Sequence, residues 1–406
     1  MKIFLVLLFS FAGFYPRKNL YDNSLLSNDK SINSKHNNAF QKTKHNDINV
    51  DPSTWKGVNL PLLSQSQTEK NLSQADFDYA ASAGANVIRL TVHADPNDKR
   101  CVPFTDNNGS VIEAERNMGI SALKAAVNMA QNAHVKIIID MHTTPGMSNG
   151  QIWMDESYWK TLTNIWTTIA QLFKNDSTVL AFDLMNEPNV HTTIERGSSD
   201  INRMFKGTWS PPANWKNTSK DYNLQIGNLI SAIRKIDPNR YVIVEGFGYL
   251  GNPVNFNWMK PIEGFDKIVY SFHMYVPTGL TMLGTKGSEM KGKDAKAQPF
   301  KMPEDESKID KALAPVLAFQ KRYNVPIFVG EFGITDKAII AKDGNGNSYN
   351  GACWLNVLIN KMNEYKWGWT YWDFWTAIRK PKSNNDPRYV ILTAAMKGQP
   401  IKDYCI

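Results

Sequence analysis

From Trp55 onward, short apolar runs alternate with longer stretches whose apolar residues recur at helical spacing. The runs predict strands at 55–60, 86–92, 135–141, 179–185, 241–245, 267–274, 327–331 and 368–373. Some, such as Ile137-Ile138-Ile139, carry no polar face, as expected of strands covered on both sides. The intervening stretches predict helices at 73–83, 120–133, 158–174, 222–236, 307–323 and 352–365. The first is bounded by a capping Ser73 and by Gly84. Between the fifth and sixth strands only 254–259 could turn. A strand–helix rhythm of this kind builds a parallel sheet. Eight repeats predict an α/β protein of (β/α)8 TIM-barrel type, with a single catalytic domain over 51–406. The rival is an open doubly wound sheet. Its mark is a glycine-rich phosphate loop between strand and helix, and no G-x-G-x-x-G is expected after a strand here.

Polar residues collect where these runs stop. Arg89 lies near the end of the second strand, and His142 follows the third. Asn186 and Glu187 close the fourth, His273 and Tyr275 the sixth, Glu331 the seventh, and Trp372 the eighth. In a barrel, the C-terminal strand ends share one mouth, so packing alone does not explain the coincidence. Insertions at 189–221 and 276–306 belong to the same face. Asp140 and Asp183 read by alternation as structural, whereas Glu245 also reaches the mouth. The most telling pair is Glu187 with Glu331. Two facing carboxyls can cleave a glycosidic bond, one protonating the leaving oxygen while the other attacks the anomeric carbon.

The segments Leu184-Met185-Asn186-Glu187-Pro188 and Val329-Gly330-Glu331-Phe332-Gly333 resemble the signatures of glycoside hydrolase family 5, the cellulase family of clan A. Ile88-Arg89-Leu90, Ile139-Asp140-Met141-His142, Ser271-Phe272-His273-Met274-Tyr275 and Tyr371-Trp372-Asp373 match the same pattern in the same order. The resemblance spans roughly 55–375. It implies a retaining hydrolase of β-linked polysaccharide, with Glu187 as acid/base and Glu331 as nucleophile. It implies that Arg89 and Tyr275 bond Glu331, and that Asn186 meets the sugar 2-hydroxyl. His142 and His273 would bond sugar or carboxylate, and Trp372 would face a sugar ring. The expected activity is an endo-β-1,4-glucanase. His142-Thr143-Thr144-Pro145-Gly146 also resembles a loop of exo-β-1,3-glucanases in the family, and mannan is a further option. No cofactor and no metal are expected, since the histidines lack H-x-H or H-E-x-x-H spacing. A metal-dependent barrel hydrolase is therefore the weaker reading. The presence of both glutamates argues against a carbohydrate-binding protein without activity.

Composition refines this picture in a few places. The net charge of +8 comes without a dense basic block interleaved with aromatics, so nucleic acid is not the expected partner. The partner class is β-glucan or a related polysaccharide or oligosaccharide, and a monomer is expected. Lys2 followed by the apolar run 3–9 predicts a signal peptide at 1–15, hence a secreted protein with no membrane attachment after cleavage. Residues 16–50 are poor in aliphatics and predict a flexible tail. Cys101, Cys353 and Cys405 allow one disulfide, and spacing does not choose the pair. Trp153, Trp159, Trp209 and Trp215 fall in loops, where one or two are expected to line further sugar subsites.

Overall fold

Eight parallel strands follow one another around a closed barrel: β1 Lys56–Pro61, β2 Val87–His93, β3 Lys136–Thr143, β4 Val179–Asp183, β5 Tyr241–Glu245, β6 Ile268–Met274, β7 Ile327–Phe332 and β8 Gly368–Tyr371. The last strand pairs back onto the first, with Gly57 opposite Thr370. The computed structural model describes residues 50–61, 72–94, 113–145, 151–190, 199–284, 298–379, 383 and 385–405, all in one unit. The expected signal peptide, all but the last residue of the expected tail, and Cys101 lie outside the described residues.

Each predicted strand is present, and most edges agree within one or two residues. β4 is shorter than expected and stops at Asp183, and β8 stops at Tyr371. Asn186, Glu187 and Trp372 therefore sit on the turns that leave these strands. The outer wall is made by helices Gln74–Ser82, Glu113–Asn132, Glu156–Phe173, Tyr222–Arg234, Glu304–Tyr323 and Gly351–Glu364, with Pro387–Met396 following β8. In the first, the Ser73 N–H and hydroxyl both donate to Asp76 Oδ2, which satisfies the helix start. Between β5 and β6 there is only a single 3-10 turn, Pro253–Asn257. Among the described residues, no helix is long and apolar enough to cross a membrane.

The G-x-G-x-x-G spacing does occur in the chain, as Gly246-Phe247-Gly248-Tyr249-Leu250-Gly251 directly after β5. It leads into the 3-10 turn rather than opening a long helix, so it lacks the helix N-terminus that holds a pyrophosphate. The barrel stands, and this loop serves the site in another way described below.

Strand periodicity sorts the interior into layers. Ile137, Ile139 and Met141 point outward to the helices, while Ile138 joins Trp55, Val87, Leu180, Ala181, Tyr241, Ile243, Val269 and Phe328 in an apolar plug inside the barrel. Two residues farther along the same strands, the inward positions turn polar. Val87 is succeeded by Arg89, Ile138 by Asp140, Ala181 by Asp183, Ile243 by Glu245 and Val269 by Ser271, all of them buried. The polar layer floors the mouth.

Trp153, Trp159, Trp209 and Trp215 are buried rather than exposed to a cleft. They pack edge-on with one another and with Phe247 and Trp258, and at a tilt against Tyr222, forming an aromatic core beneath the loops after β3, β4 and β5. The expectation of sugar-lining tryptophans in this group is corrected accordingly. Loops long enough to carry their own core need large apolar side chains, which local sequence does not distinguish from binding aromatics. Cys353 and Cys405 form the disulfide, tying the C-terminal segment to helix Gly351–Glu364.

Candidate active site

Arg89 is the centre of the polar layer. Its side chain is inaccessible to solvent, and its guanidinium donates in every direction. Nε meets Asp183 Oδ2 at 2.9 Å, and Nη1 meets Asn59 Oδ1 at 3.0 Å and Glu331 Oε1 at 2.9 Å. Nη2 donates to Asn186 Oδ1 at 2.9 Å and Glu245 Oε1 at 3.1 Å, and it makes an ion pair with Asp140 Oδ1 at 2.9 Å. Burial by itself pushes the guanidinium down. The four surrounding carboxylates overcome this and hold it well above its ordinary range, so it keeps its charge.

Glu331 enters this cluster through a bulge. On β6 and β7, Phe272 is paired with Val329 but His273 with Glu331, so Gly330 is an additional residue. Phe328 faces the barrel interior, and strict alternation would send Glu331 outward to the helices. The extra residue turns it back into the mouth. The bulge is pinned at the Gly330 carbonyl, which accepts from Asn59 Nδ2 at 3.0 Å and Thr370 Oγ1 at 2.6 Å. Glu331 Oε2 also accepts from the Tyr275 hydroxyl at 3.0 Å. Burial, reinforced by Glu331 and Glu187, raises the Tyr275 phenol well above its ordinary value, so it remains a donor.

Glu187 lies across from Glu331 on the turn after β4, with a left-handed backbone at φ +45°. Its side chain is 28% exposed against 7% for Glu331, so Glu187 is the more open of the two carboxyls. His273 stands between the glutamates. Nδ1 lies 2.9 Å from Glu187 Oε1 and 3.6 Å from Glu331 Oε2, while Nε2 lies 3.1 Å from Glu245 Oε1. Burial opposes charge on the imidazole, but Glu245 and Glu331 outweigh it and push the ring well above its usual titration range. The surrounding carboxylates therefore favour the protonated ring. The ring occupies a slot between two glycines. A Cβ on Gly251 would stand 3.0 Å from His273 Cγ, and one on Gly330 would stand 3.0 Å from Nε2. Gly251 has φ +61°, a conformation open to glycine, and its carbonyl accepts the His273 N–H at 2.8 Å. The glycine-rich loop after β5 is thus a seat for His273.

His142, half-buried, bonds through Nδ1 to Asp140 Oδ2 at 2.8 Å. Its ring lies parallel to that of half-buried Trp372, at 5.3 Å between centroids and 9° between planes, and meets His93 edge-on. Burial, joined by repulsion from Glu245 and Glu187, raises Asp140 to about 7 despite Arg89 and His273. Tyr249, on the loop after β5, is raised to about 12 by burial and by the charge of Glu187, and Phe205 touches its ring.

All eight residues singled out in the sequence, Arg89, His142, Asn186, Glu187, His273, Tyr275, Glu331 and Trp372, fall at this one mouth. Asn59, Gly330, Gly251, His93 and Tyr249 were not singled out. Asn59 alone left a signal, as a polar residue inside the apolar run Gly57-Val58-Asn59-Leu60. Glu187, His273 and Glu331 are the one group of three metal-type side chains, among the described residues, whose ligand atoms lie within 4.8 Å of one another. His273 Nδ1 already lies 2.9 Å from Glu187 Oε1 and Nε2 3.1 Å from Glu245 Oε1, so a cation bound by this trio would have to displace the first of these contacts.

The family model for Cellulase (glycosyl hydrolase family 5) matches residues 46–378. Among curated relatives, Endoglucanase C of Acetivibrio thermocellus is 22% identical over 354 residues, covering 78% of this chain and 90% of its own length. Cellodextrinase A of Ruminococcus flavefaciens is 23% identical over 301 residues, covering 69% of this chain and 76% of its own. Among solved structures, endoglucanase Cel5A of the hyperthermophile Thermotoga maritima superposes with a TM-score of 0.60 at 18% identity, over 86% of this chain and all of that one. That likeness bears on the fold, and the family match runs from before β1 to beyond β8. The chain belongs to glycosyl hydrolase family 5, and the protein is a glycoside hydrolase.

Proposed function

We propose that the protein is a secreted endo-β-1,4-glucanase acting with retention of configuration, Glu331 being the nucleophile and Glu187 the acid/base. One observation carries this reading: carboxylate oxygens of Glu187 and Glu331 come within 4.8 Å of each other at the mouth. Retention by direct attack calls for carboxyls about 5–5.5 Å apart, whereas inversion needs about 6.5–9.5 Å to admit a water between them.

In the first step a Glu331 oxygen bonds to the anomeric carbon and the glycosidic C–O bond breaks. Glu187 gives its proton to the departing oxygen, leaving a glycosyl ester on Glu331 and a carboxylate on Glu187. In the second step Glu187 takes a proton from water, whose oxygen attacks the same carbon, and Glu331 leaves as a carboxylate. Arg89 and Tyr275 donate to opposite oxygens of Glu331, which holds the carboxylate in one orientation. Their bonds weaken as the ester forms and are regained as it is released. Asn186, anchored on Arg89, is the group for the sugar 2-hydroxyl. His142 and Trp372 supply a polar edge and a flat face to the ring held beside Glu331.

The endoglucanase part of this reading draws support from the name of the Acetivibrio relative, Endoglucanase C. The Thermotoga enzyme has been crystallised with cellobiose and with mannotriose, so mannan belongs in the substrate panel. Export is supported by the Cys353–Cys405 disulfide, which suits an oxidising compartment. Incubation with soluble β-1,4-glucan, β-1,3-glucan, xyloglucan and mannan, with product lengths recorded, tests the assignment. Chain shortening of β-1,4-glucan without early monosaccharide is expected. Preferential release of single sugars from β-1,3-glucan would overturn it.

A further inference from the structure

Glu245 has no part in the double displacement as written, yet both of its oxygens are spent on the surroundings of Glu187. Oε2 accepts the Glu187 backbone N–H at 2.9 Å. Oε1 lies 3.1 Å from His273 Nε2 and 3.1 Å from Arg89 Nη2. On the far side of the imidazole, Nδ1 reaches Glu187 Oε1 at 2.9 Å. One carboxylate therefore holds Glu187 twice, at its backbone and, through a charged ring, at its side chain. The backbone contact falls where it is needed. Glu187 is a residue with a Cβ at φ +45°, a conformation that costs on the order of 1–3 kcal/mol and persists only when its surroundings hold it.

We infer that Glu245 is the positioning residue of the proton donor, orienting Glu187 and keeping His273 charged against it. The inference rests on the reading of Glu187 as acid/base. As Glu187 surrenders its proton it becomes an anion, and the imidazolium 2.9 Å away stabilises that developing charge. Without an anion behind Nε2, a buried imidazole sheds its charge and offers Glu187 only a neutral N–H. Other charged and titratable groups face this relay: Arg89 from β2, Asp140 from β3, Asp183 from β4, and Glu331 from β7. Tyr275 faces it from the end of β6, and Tyr222 from helix Tyr222–Arg234, donating to the Glu245 carbonyl at 2.6 Å. None of these groups replaces the Glu245 carboxylate at both the Glu187 N–H and Nε2.

The test is a leaving-group comparison on Glu245→Gln and Glu245→Asp. 2,4-Dinitrophenyl and phenyl β-cellobioside share one glycone, but only the phenol needs a proton to depart. For Glu245→Gln, kcat/KM on the phenyl glycoside is expected to fall by at least about 100-fold, within the range attributed to general acid catalysis. On the dinitrophenyl glycoside it should stay within about threefold, with thermal unfolding recording that the barrel is intact. Glu245→Asp keeps the charge but is too short to hold both contacts. It is expected to give the same split, and it serves alone should the glutamine variant not fold. Equal losses on the two glycosides would overturn the inference, because they would show Glu245 acting on Glu331 through Arg89 or on the fold as a whole. So would no loss on either. Wild-type protein that hydrolyses neither glycoside would instead remove the reading of the site on which the inference rests.

Discussion

Gly330 and His273 stand so close that a methyl group does not fit between them: a Cβ at position 330 would lie 3.0 Å from His273 Nε2 and 2.9 Å from Ser271 Oγ. The glycine that bulges β7 to aim Glu331 is therefore also the wall behind the imidazolium. Gly330→Ala is expected to cost about 1–3 kcal/mol through overpacking. It should also lower kcat by at least tenfold, by displacing the ring from Glu187 and Glu245. Thermal unfolding and steady-state kinetics measure the two separately. Undiminished kcat in a folded variant would mean the slot is not needed for turnover.

Arg89, closed off from solvent, faces Asp140, Asp183, Glu245 and Glu331. Lysine keeps the charge but not the planar fork, so most of these contacts lose their donor. Arg89→Lys is expected to destabilise the fold by about 3–5 kcal/mol, as for other buried ion pairs broken from one side. Chemical denaturation reads this directly. A loss below about 1 kcal/mol would place the stabilising burden elsewhere in the cluster.

Asp140 makes stability depend on pH in a predictable direction. Its carboxyl is raised from an ordinary 3.8 to about 7 by burial, so the folded state binds a proton that the unfolded state has already lost. That contribution is fully present below pH 3.8 and is lost as the pH rises to about 7. Asparagine has no such loss. The melting temperature of Asp140→Asn relative to wild type should therefore climb between pH 4 and 7 and level off above, when the two proteins are compared across that range. A constant difference would contradict the burial of an ionisable group at this position.

Cys353 and Cys405 close a loop of 52 residues around β8 and helix Pro387–Met396. Reduction, or replacement of both cysteines by alanine, is expected to cost about 2–4 kcal/mol. It should leave kcat nearly unchanged, since neither residue contacts the mouth. Loss of activity ahead of unfolding would tie the C-terminal segment to the site.

Much of this architecture was open to reading because the barrel repeats one physical pattern eight times. A strand sealed by helices outside and a plug inside has to be apolar, and Ile137-Ile138-Ile139 shows this without any neighbour. Charged and aromatic residues at the ends of such runs have no packing reason to be there, which is why Arg89, Glu187, His273 and Glu331 stood out. What stayed hidden depends on contacts between distant strands. Gly330 looks like any glycine until its pairing with β6 reveals an extra residue, and by simple alternation Glu331 would have pointed away. Glu245 reads in the sequence only as one more carboxyl that reaches the mouth, since its role comes from a histidine on the next strand. Trp153, Trp209 and Trp215 misled because a loop aromatic serves a loop core as well as it serves a sugar, and Trp159 because it stands on the first turn of helix Glu156–Phe173, packed into that core. The glycines from Gly246 to Gly251 carry a spacing shared with nucleotide-binding loops, and only the 3-10 turn and the His273 seat separate the two uses.

The proposed attack of Glu331 on the carbon whose leaving oxygen Glu187 protonates is tested most directly by trapping the ester. A 2-deoxy-2-fluoro-β-cellobioside with a 2,4-dinitrophenyl leaving group forms the glycosyl ester readily and releases it slowly. Mass spectrometry of the inactivated protein, followed by peptide mapping, should find one added cellobiosyl group, carried by Glu331. A label on Glu187, Glu245 or any other carboxyl, or steady turnover of the probe with no label at all, would contradict the account.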